Sequence, residues 1–288
     1  MRTPETRLEE AQRTLARPVR AAGIGLHTGE LVGLELLPAP ESTGIIFEVA
    51  NQGRTERIPA LAEYVVETRR GTTLGIGRTR LATVEHLMAA LWGAGVDNCL
   101  VRVQGTEIPV MDGSALPFLE LIEGAGLVKQ EASRKLLRLS EPLEVRADEA
   151  FIHIEPALTA SFEYRFESPL AWLGVVEASY RPCEASFGQQ VAPARTFGLE
   201  SEAKALIESG LARGASLENV LVLGEEGYVN EPRLANEVAA HKLLDLVGDL
   251  YLTGAFVEAR VTAGRSGHTL HTQAALALRN QTGMGGQE

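Results

Sequence analysis

The stretch that most constrains this chain is "VAAHKLLDLVGDLYLTG", Val238 to Gly254. Its apolar residues recur at helical spacing, and a run of this length reads as a core helix. His241, Asp245 and Asp249 interrupt it at intervals of four. Residues four apart on a helix stand one turn above one another. One edge of the helix thus carries an imidazole and two carboxylates, while Leu243, Leu246, Val247 and Leu250 form the opposite, apolar arc. Burying such groups is costly unless they are paired or hold a cation. His241 and Asp245 can present a ring nitrogen and a carboxylate oxygen to one point, which is part of what a zinc site needs. Taken alone, HxxxD reads as an ion pair on a solvated face. Its apolar border and the existence of further donors elsewhere favour the metal reading.

The first of those donors lies in "LATVEHLMAAL", Leu81 to Leu91, where Glu85 and His86 open a short apolar helix. Adjacent helical residues point about 100° apart, so the two would not normally chelate one ion. A division of labour fits better, with His86 as ligand and Glu85 as general base toward an attacking water; taken alone, the pair reads as a first-turn Glu favoured by the helix dipole with a half-buried His behind it. In "RSGHTLHTQ", Arg265 to Gln273, His268 opens a helix after a Ser–Gly turn. If Asp249 accepts from this imidazole, the cation is favoured and His268 becomes a general acid or a stabiliser of an oxyanion. His271, three residues on, reads as a surface or packing residue, and His153 as structural. In "APARTFGLE", Thr196 offers a hydroxyl and Phe197 an exposed-looking ring on a loop.

Composition bounds the rest. With 288 residues, 45% hydrophobic and 23% charged, the chain suits one large or two ordinary globular domains. The net charge of −11 argues against wholesale nucleic-acid binding. No apolar run has membrane-spanning length, and the polar start lacks a signal-peptide pattern, so a cytoplasmic protein is expected. Cys99 and Cys183 lie far apart and read as reduced thiols.

Alternation and β-branched content predict strands over 31–39, 44–50, 98–105, 150–157, 161–168, 219–224 and 255–264. Helices are expected over 84–92, 115–124, 200–212, 234–252 and 268–279, with Thr83 as N-cap and Gly93 as stop of the first. The fold class is α+β. The polar interval "KQEASRK", 129–135, places a boundary between a first domain, 12–130, and a second, 131–288. A weak internal echo links them: His86 and His241 each begin an apolar helix followed by glycine and an apolar strand.

Together and in order, "GIGLHTGE", "ATVEHLMAAL", "EIPVMDGSALPF", "ARTFG", "GLARGASLENVLVL", "HKLLDLVGDLYLTG" and "SGH" resemble one family, the zinc-dependent UDP-3-O-acyl-N-acetylglucosamine deacetylases of lipid A synthesis. The resemblance spans about Gln12 to Leu276 and leaves residues 1–11 as an extension expected to be disordered. It implies two similar α+β domains, each a sheet with helices, the helices packed between the sheets. It implies a catalytic zinc ion on His86, His241 and Asp245, a site whose nitrogen and oxygen donors also suit ferrous iron. By the same resemblance Glu85 is the base, His268 the acid, Asp249 its orienting carboxylate, and Thr196 the group that polarises the amide carbonyl. Phe197, Lys242 and His27 are substrate contacts. Leu206, Leu211, Ala212, Ser216 and Val220 line a passage for the acyl chain. The expected partner is a small UDP-acyl-sugar, bound by a monomer. A same-fold deacetylase of another N-acetyl sugar, or a non-catalytic sugar-binding module, are the alternatives. The chain departs from its relatives at Gly71, where many carry cysteine, and in reading "GRSGHTLHT" and "ESPLAW" around the site.

Overall fold

The computed structural model describes residues 11–51, 53–182 and 184–284. The extension expected over residues 1–11 lies outside them except for Ala11, which already belongs to a strand, and Cys183 also lies outside. The fold is α+β. Six α-helices occur among the described residues: α1 Glu85–Ala94, α2 Leu116–Ala125, α3 Phe187–Gln190, α4 Glu200–Glu208, α5 Glu237–Leu250 and α6 His268–Gln281. None is long and apolar enough to cross a membrane.

Two five-stranded sheets share one topology. In the first, the order is Val19–Ile24, Leu31–Pro38, Cys99–Gln104, Ile45–Asn51 and Arg54–Pro59. In the second it is Leu143–Ala147, Ala150–Pro156, Ala259–Gly264, Ser161–Glu167 and Val175–Tyr180. Each sheet places its last strand in sequence at the centre, antiparallel to one neighbour and parallel to the other. In each, that central strand follows a buried helix, α1 in the first and α5 in the second. The echo between His86 and His241 thus corresponds to equivalent places in the two halves.

The sheets are hydrophobic on one face and bury it against the helices. Val32, Leu34 and Leu36 point inward from the first sheet, and Phe162 and Tyr164 from the second. Leu87, Met88 and Leu91 of α1 join Leu243, Leu244 and Val247 of α5 in one continuous core between them. Trp92 of α1 meets Phe162, Tyr180 and Phe187 edge-to-face, so a helix of the first half packs against residues of the second. The two helices touch where α5 carries Gly248: a Cβ there would lie 2.1 Å from the Glu85 carbonyl oxygen. This close crossing brings the first turn of α1 beside the polar edge of α5.

Several local expectations are corrected. Thr83 is not the N-cap of α1; Val84 holds that position without a side-chain cap, and Thr83 takes a left-handed backbone with φ 60°. Gly93 does not stop the helix, which runs on to Ala94 and ends on left-handed Gly95. The helix expected over 200–212 ends at Glu208, and the strand expected over 255–264 is broken into Phe256–Val257 and Ala259–Gly264. The polar interval 129–135 is largely strand: Leu127–Ser133 pairs antiparallel with Ala11–Leu15. Cys99 is a free, buried thiol, pushed up to about 12 by burial.

Candidate active site

The polar edge of α5 is not solvated. Every residue of the helix except Lys242 is buried, including His241, Asp245 and Asp249. His86 comes in from α1, so its Nε2 lies 3.7 Å from Asp245 Oδ1, and His241 Nε2 lies 3.4 Å from the same oxygen. The two imidazole rings stand nearly perpendicular, with centroids 5.1 Å apart. One donor atom from each of the three residues falls within 4.8 Å of the others.

The donor set fits a divalent metal. Asp245 Oδ2 accepts from Lys242 Nζ at 2.7 Å, but Oδ1 is buried with no hydrogen-bond partner. A buried, donorless carboxylate oxygen is costly unless a cation meets it. Burial opposes the charge of Asp245, yet His241 and Lys242 hold its carboxyl well below the usual range. Burial depresses both imidazoles, with His241 adding to the effect on His86, which falls to about 3. Both rings are therefore neutral, as ligation requires. His241 donates from Nδ1 to the Ala194 carbonyl at 3.2 Å, which leaves the Nε2 lone pair free.

One turn further along α5, a second group of the same residue types is wired differently. Asp249 Oδ2 accepts from His268 Nδ1 and from His271 Nδ1, each at 2.8 Å, and Oδ1 accepts from Thr72 Oγ1 at 2.6 Å. Burial opposes the Asp249 charge, but His268 and His271 outweigh it and lower the carboxyl to about 2. Burial alone would depress His268, while Asp249 and Glu85 raise it to about 9, so its imidazole is a cation at neutral pH. His271, read from sequence as surface or packing, is fully buried, and burial keeps it neutral.

Glu85 stands between the two groups. Its Oε2 accepts from the Thr72 backbone N–H at 2.9 Å, and its Oε1 lies 4.0 Å from His268 Nε2. Burial raises it to about 7, against the pull of His268 and with the help of Asp249 and Asp245. A carboxylate near neutrality beside a histidine cation is the pairing that general acid–base chemistry uses.

Thr196 is half-buried on a loop held through its neighbours: Ala194 accepts from His241, and Arg195 forms a buried ion pair with Glu237 at the start of α5. Phe197 is half-buried rather than exposed, with its ring edge-to-face with Phe166 and His241. Lys242 is engaged with Asp245. His27 sits on a loop whose backbone donates to Glu107, and its Nδ1 is buried without a partner. Leu206, Leu211, Ala212 and Val220 are half-buried, and Ser216 is exposed. α4 buries none of its residues.

Sequence reasoning missed Thr72, whose N–H holds Glu85 and whose hydroxyl holds Asp249. It also missed Glu107, a buried carboxylate that accepts from the His27 and Thr28 backbones, the Thr28 hydroxyl and the Thr83 hydroxyl. The bond of His271 to Asp249 was missed too, and its i,i+3 spacing from His268 was the one signal for it.

Comparison with known proteins bears on the whole of this arrangement. The family model for UDP-3-O-acyl N-acetylglycosamine deacetylase matches residues 12–280, which include every residue of both groups. Proteins named UDP-3-O-acyl-N-acetylglucosamine deacetylase align nearly end to end. The one from Thioalkalivibrio sulfidiphilus is 42% identical over 266 residues, covering 91% of this chain and 88% of that protein. Those from Thermosynechococcus vestitus, 42% identical over 279 residues, and Nostoc, 41% over 278, cover 96% and 93% of this chain and 97% and 99% of their own. A match of that extent, over a chain whose two polar groups meet at one helix crossing, makes it a member of the UDP-3-O-acyl N-acetylglycosamine deacetylase family.

Proposed function

We propose that this chain hydrolyses the N-acetyl group of UDP-3-O-acyl-N-acetylglucosamine, releasing acetate and leaving a free amine on the sugar, as a step of lipid A synthesis. The observation that carries the reading is the juxtaposition of Glu85, titrating near neutrality, with cationic His268, 4.0 Å away, while His268 Nε2 lies 3.9 Å from Oδ2 of Asp245, the residue whose other oxygen has no donor.

His86, His241 and Asp245 would hold a zinc ion. Bound there, zinc supplies a Lewis acid that polarises an acyl oxygen and makes water a better nucleophile at neutral pH. Glu85 takes a proton from the attacking water, its carboxylate held by the Thr72 N–H. Thr196 and cationic His268 stabilise the developing oxyanion. His268 then gives its Nε2 proton to the departing amine, while Asp249 keeps the ring oriented through Nδ1. Phe197 packs beside the sugar, and His27 and Lys242 contact its polar groups. Leu206, Leu211, Ala212, Ser216 and Val220 form the wall against the acyl chain.

We place the division between the two domains at 130/131 and read the enzyme as a cytoplasmic monomer. The test is acetate release from the UDP-acyl-sugar before chelation, after chelation and after zinc is restored. Activity lost and regained supports substrate and metal together. A folded, zinc-loaded protein without acetate release would overturn the substrate assignment.

A further inference from the structure

His271 is a fully buried imidazole that the mechanism above does not use. It stands three residues after His268 in the first turn of α6, on the same side of the helix. The rings lie 5.9 Å apart by centroid, and their Nδ1 atoms meet one oxygen, Asp249 Oδ2, at 2.8 Å each. An ionised carboxylate only accepts, so both Nδ1 atoms carry hydrogen and donate. The other ring nitrogen of His271, Nε2, lies 3.0 Å from Ser266 Oγ and accepts its hydroxyl. The Ser266 carbonyl in turn accepts from the buried Tyr164 hydroxyl. The His271 ring is thus held at both ends, and its tautomer is fixed by what it touches.

Asp249 therefore receives three donors from two segments: Thr72 from the loop just before the strand Thr73–Ile76, and His268 and His271 from α6. Without His271, the one donor left on Oδ2 would be the His268 ring itself, and Thr72 alone would hold the carboxylate independently of that ring. The His268 ring would turn with the carboxylate, which is the partner of its Nδ1. The N-terminal turn of α6 also disfavours a cation, so His268 depends on the Asp249 contact for both its charge and its aim.

We propose that His271 is a positioning residue for the general acid: it donates to Asp249 Oδ2, fixes that carboxylate, and through it aims His268 Nε2 at the leaving amine. The proposal rests on the reading of His268 as the acid. The side chain needs one property, an N–H at the place of Nδ1. Asparagine has one, because its Nδ2 is attached to the same Cγ position as the ring Nδ1. Glutamine reaches toward Ser266 instead, and leucine supplies no donor.

The experiment compares His271→Asn, His271→Gln and His271→Leu, each alone and in a His268→Ala background, with kcat, KM, zinc content and thermal stability measured. The expected result is that His271→Gln and His271→Leu lose kcat about ten- to a hundredfold with KM unchanged, the scale of a misaimed catalytic group. His271→Asn stays within about threefold of the wild-type kcat. In the His268→Ala background none of the three costs further turnover, because two residues acting through one step are not additive. Zinc content is the same throughout. Equal losses in Asn, Gln and Leu variants, or losses that persist without His268, would make His271 structural and overturn the proposal. Should His271→Leu fail to fold, the Asn–Gln contrast decides alone. Full turnover in His268→Ala itself would instead sink the reading of His268.

Discussion

One turn of α5 separates two aspartates that share a residue type, a depth and a pair of histidines, yet differ in chemistry. Around Asp245, both histidines are neutral and one carboxylate oxygen has no donor. Around Asp249, both oxygens are supplied with donors and one histidine is a cation. The difference lies in which ring nitrogen faces the carboxylate. At Asp245 the ring nitrogens that face Oδ1 are Nε2 of His86 and His241, and His241 spends its Nδ1–H on a backbone carbonyl. At Asp249 the Nδ1–H groups themselves point at the carboxylate. Lone pairs converge in one place and N–H bonds in the other, so one group fits a metal and the other fits an orienting anion.

The comparison breaks most severely if the converging lone pairs are removed. His241→Ala or Asp245→Ala should abolish both stoichiometric zinc and acetate release; retention of one zinc per chain in either variant would show the donors to lie elsewhere. Next in size is Glu85→Gln, which leaves the three donors in place. Zinc should stay and kcat should fall by roughly two to four orders of magnitude, as for a lost general base. Unchanged kcat in a zinc-loaded Glu85→Gln protein would remove Glu85 from the mechanism.

How much of this was legible in the sequence depended on the kind of signal. The helix of His241, Asp245 and Asp249 was, because polar residues at fixed helical spacing inside an apolar run stand out. Glu85–His86 was legible as a polar pair at the head of an apolar helix, although adjacent residues share no face. The ends of α1 were not. Thr83 looks like a cap, but its hydroxyl goes to Glu107, 24 residues away, and a buried helix can be bounded by tertiary contacts rather than by local capping. The pairing of Leu127–Ser133 with Ala11–Leu15 was hidden because a largely exposed strand of Lys129, Gln130 and Glu131 carries no apolar alternation. His271, read as a surface or packing residue, is buried, and its bond to Asp249 was hidden because that residue lies on another helix. Thr72 was missed because nothing local marks a threonine that serves two carboxylates of different segments.

A smaller effect sharpens the contrast through pH. The carboxylates Asp249 and Glu85 hold the His268 proton up to about 9 against burial, so the imidazolium proposed as the acid is present below that value and lost above it. The rate at saturating substrate should therefore fall as pH rises through about 9. In Asp249→Asn the largest favourable partner is neutral, and the descending limb should move to lower pH. A limb that stays in place would show that His268 does not set it.

The smallest expected effect is at Thr72. Thr72→Val keeps shape and the backbone N–H to Glu85 but deletes the hydroxyl that Asp249 Oδ1 accepts. A hydrogen bond to a buried charge contributes about 1.5–3 kcal/mol, so unfolding stability should drop by about that much, and Thr72→Ser should restore it. The variant also gives Asp249 a donorless buried oxygen like that of Asp245. If a bare oxygen were enough to hold a metal, zinc content would rise above one per chain. It should not rise, because His268 and His271 still present N–H bonds rather than lone pairs to that carboxylate. A second equivalent of zinc in Thr72→Val, measured by elemental analysis after dialysis, would mean that the imidazoles can turn and that their hydrogen-bonded orientation is not what separates the two groups.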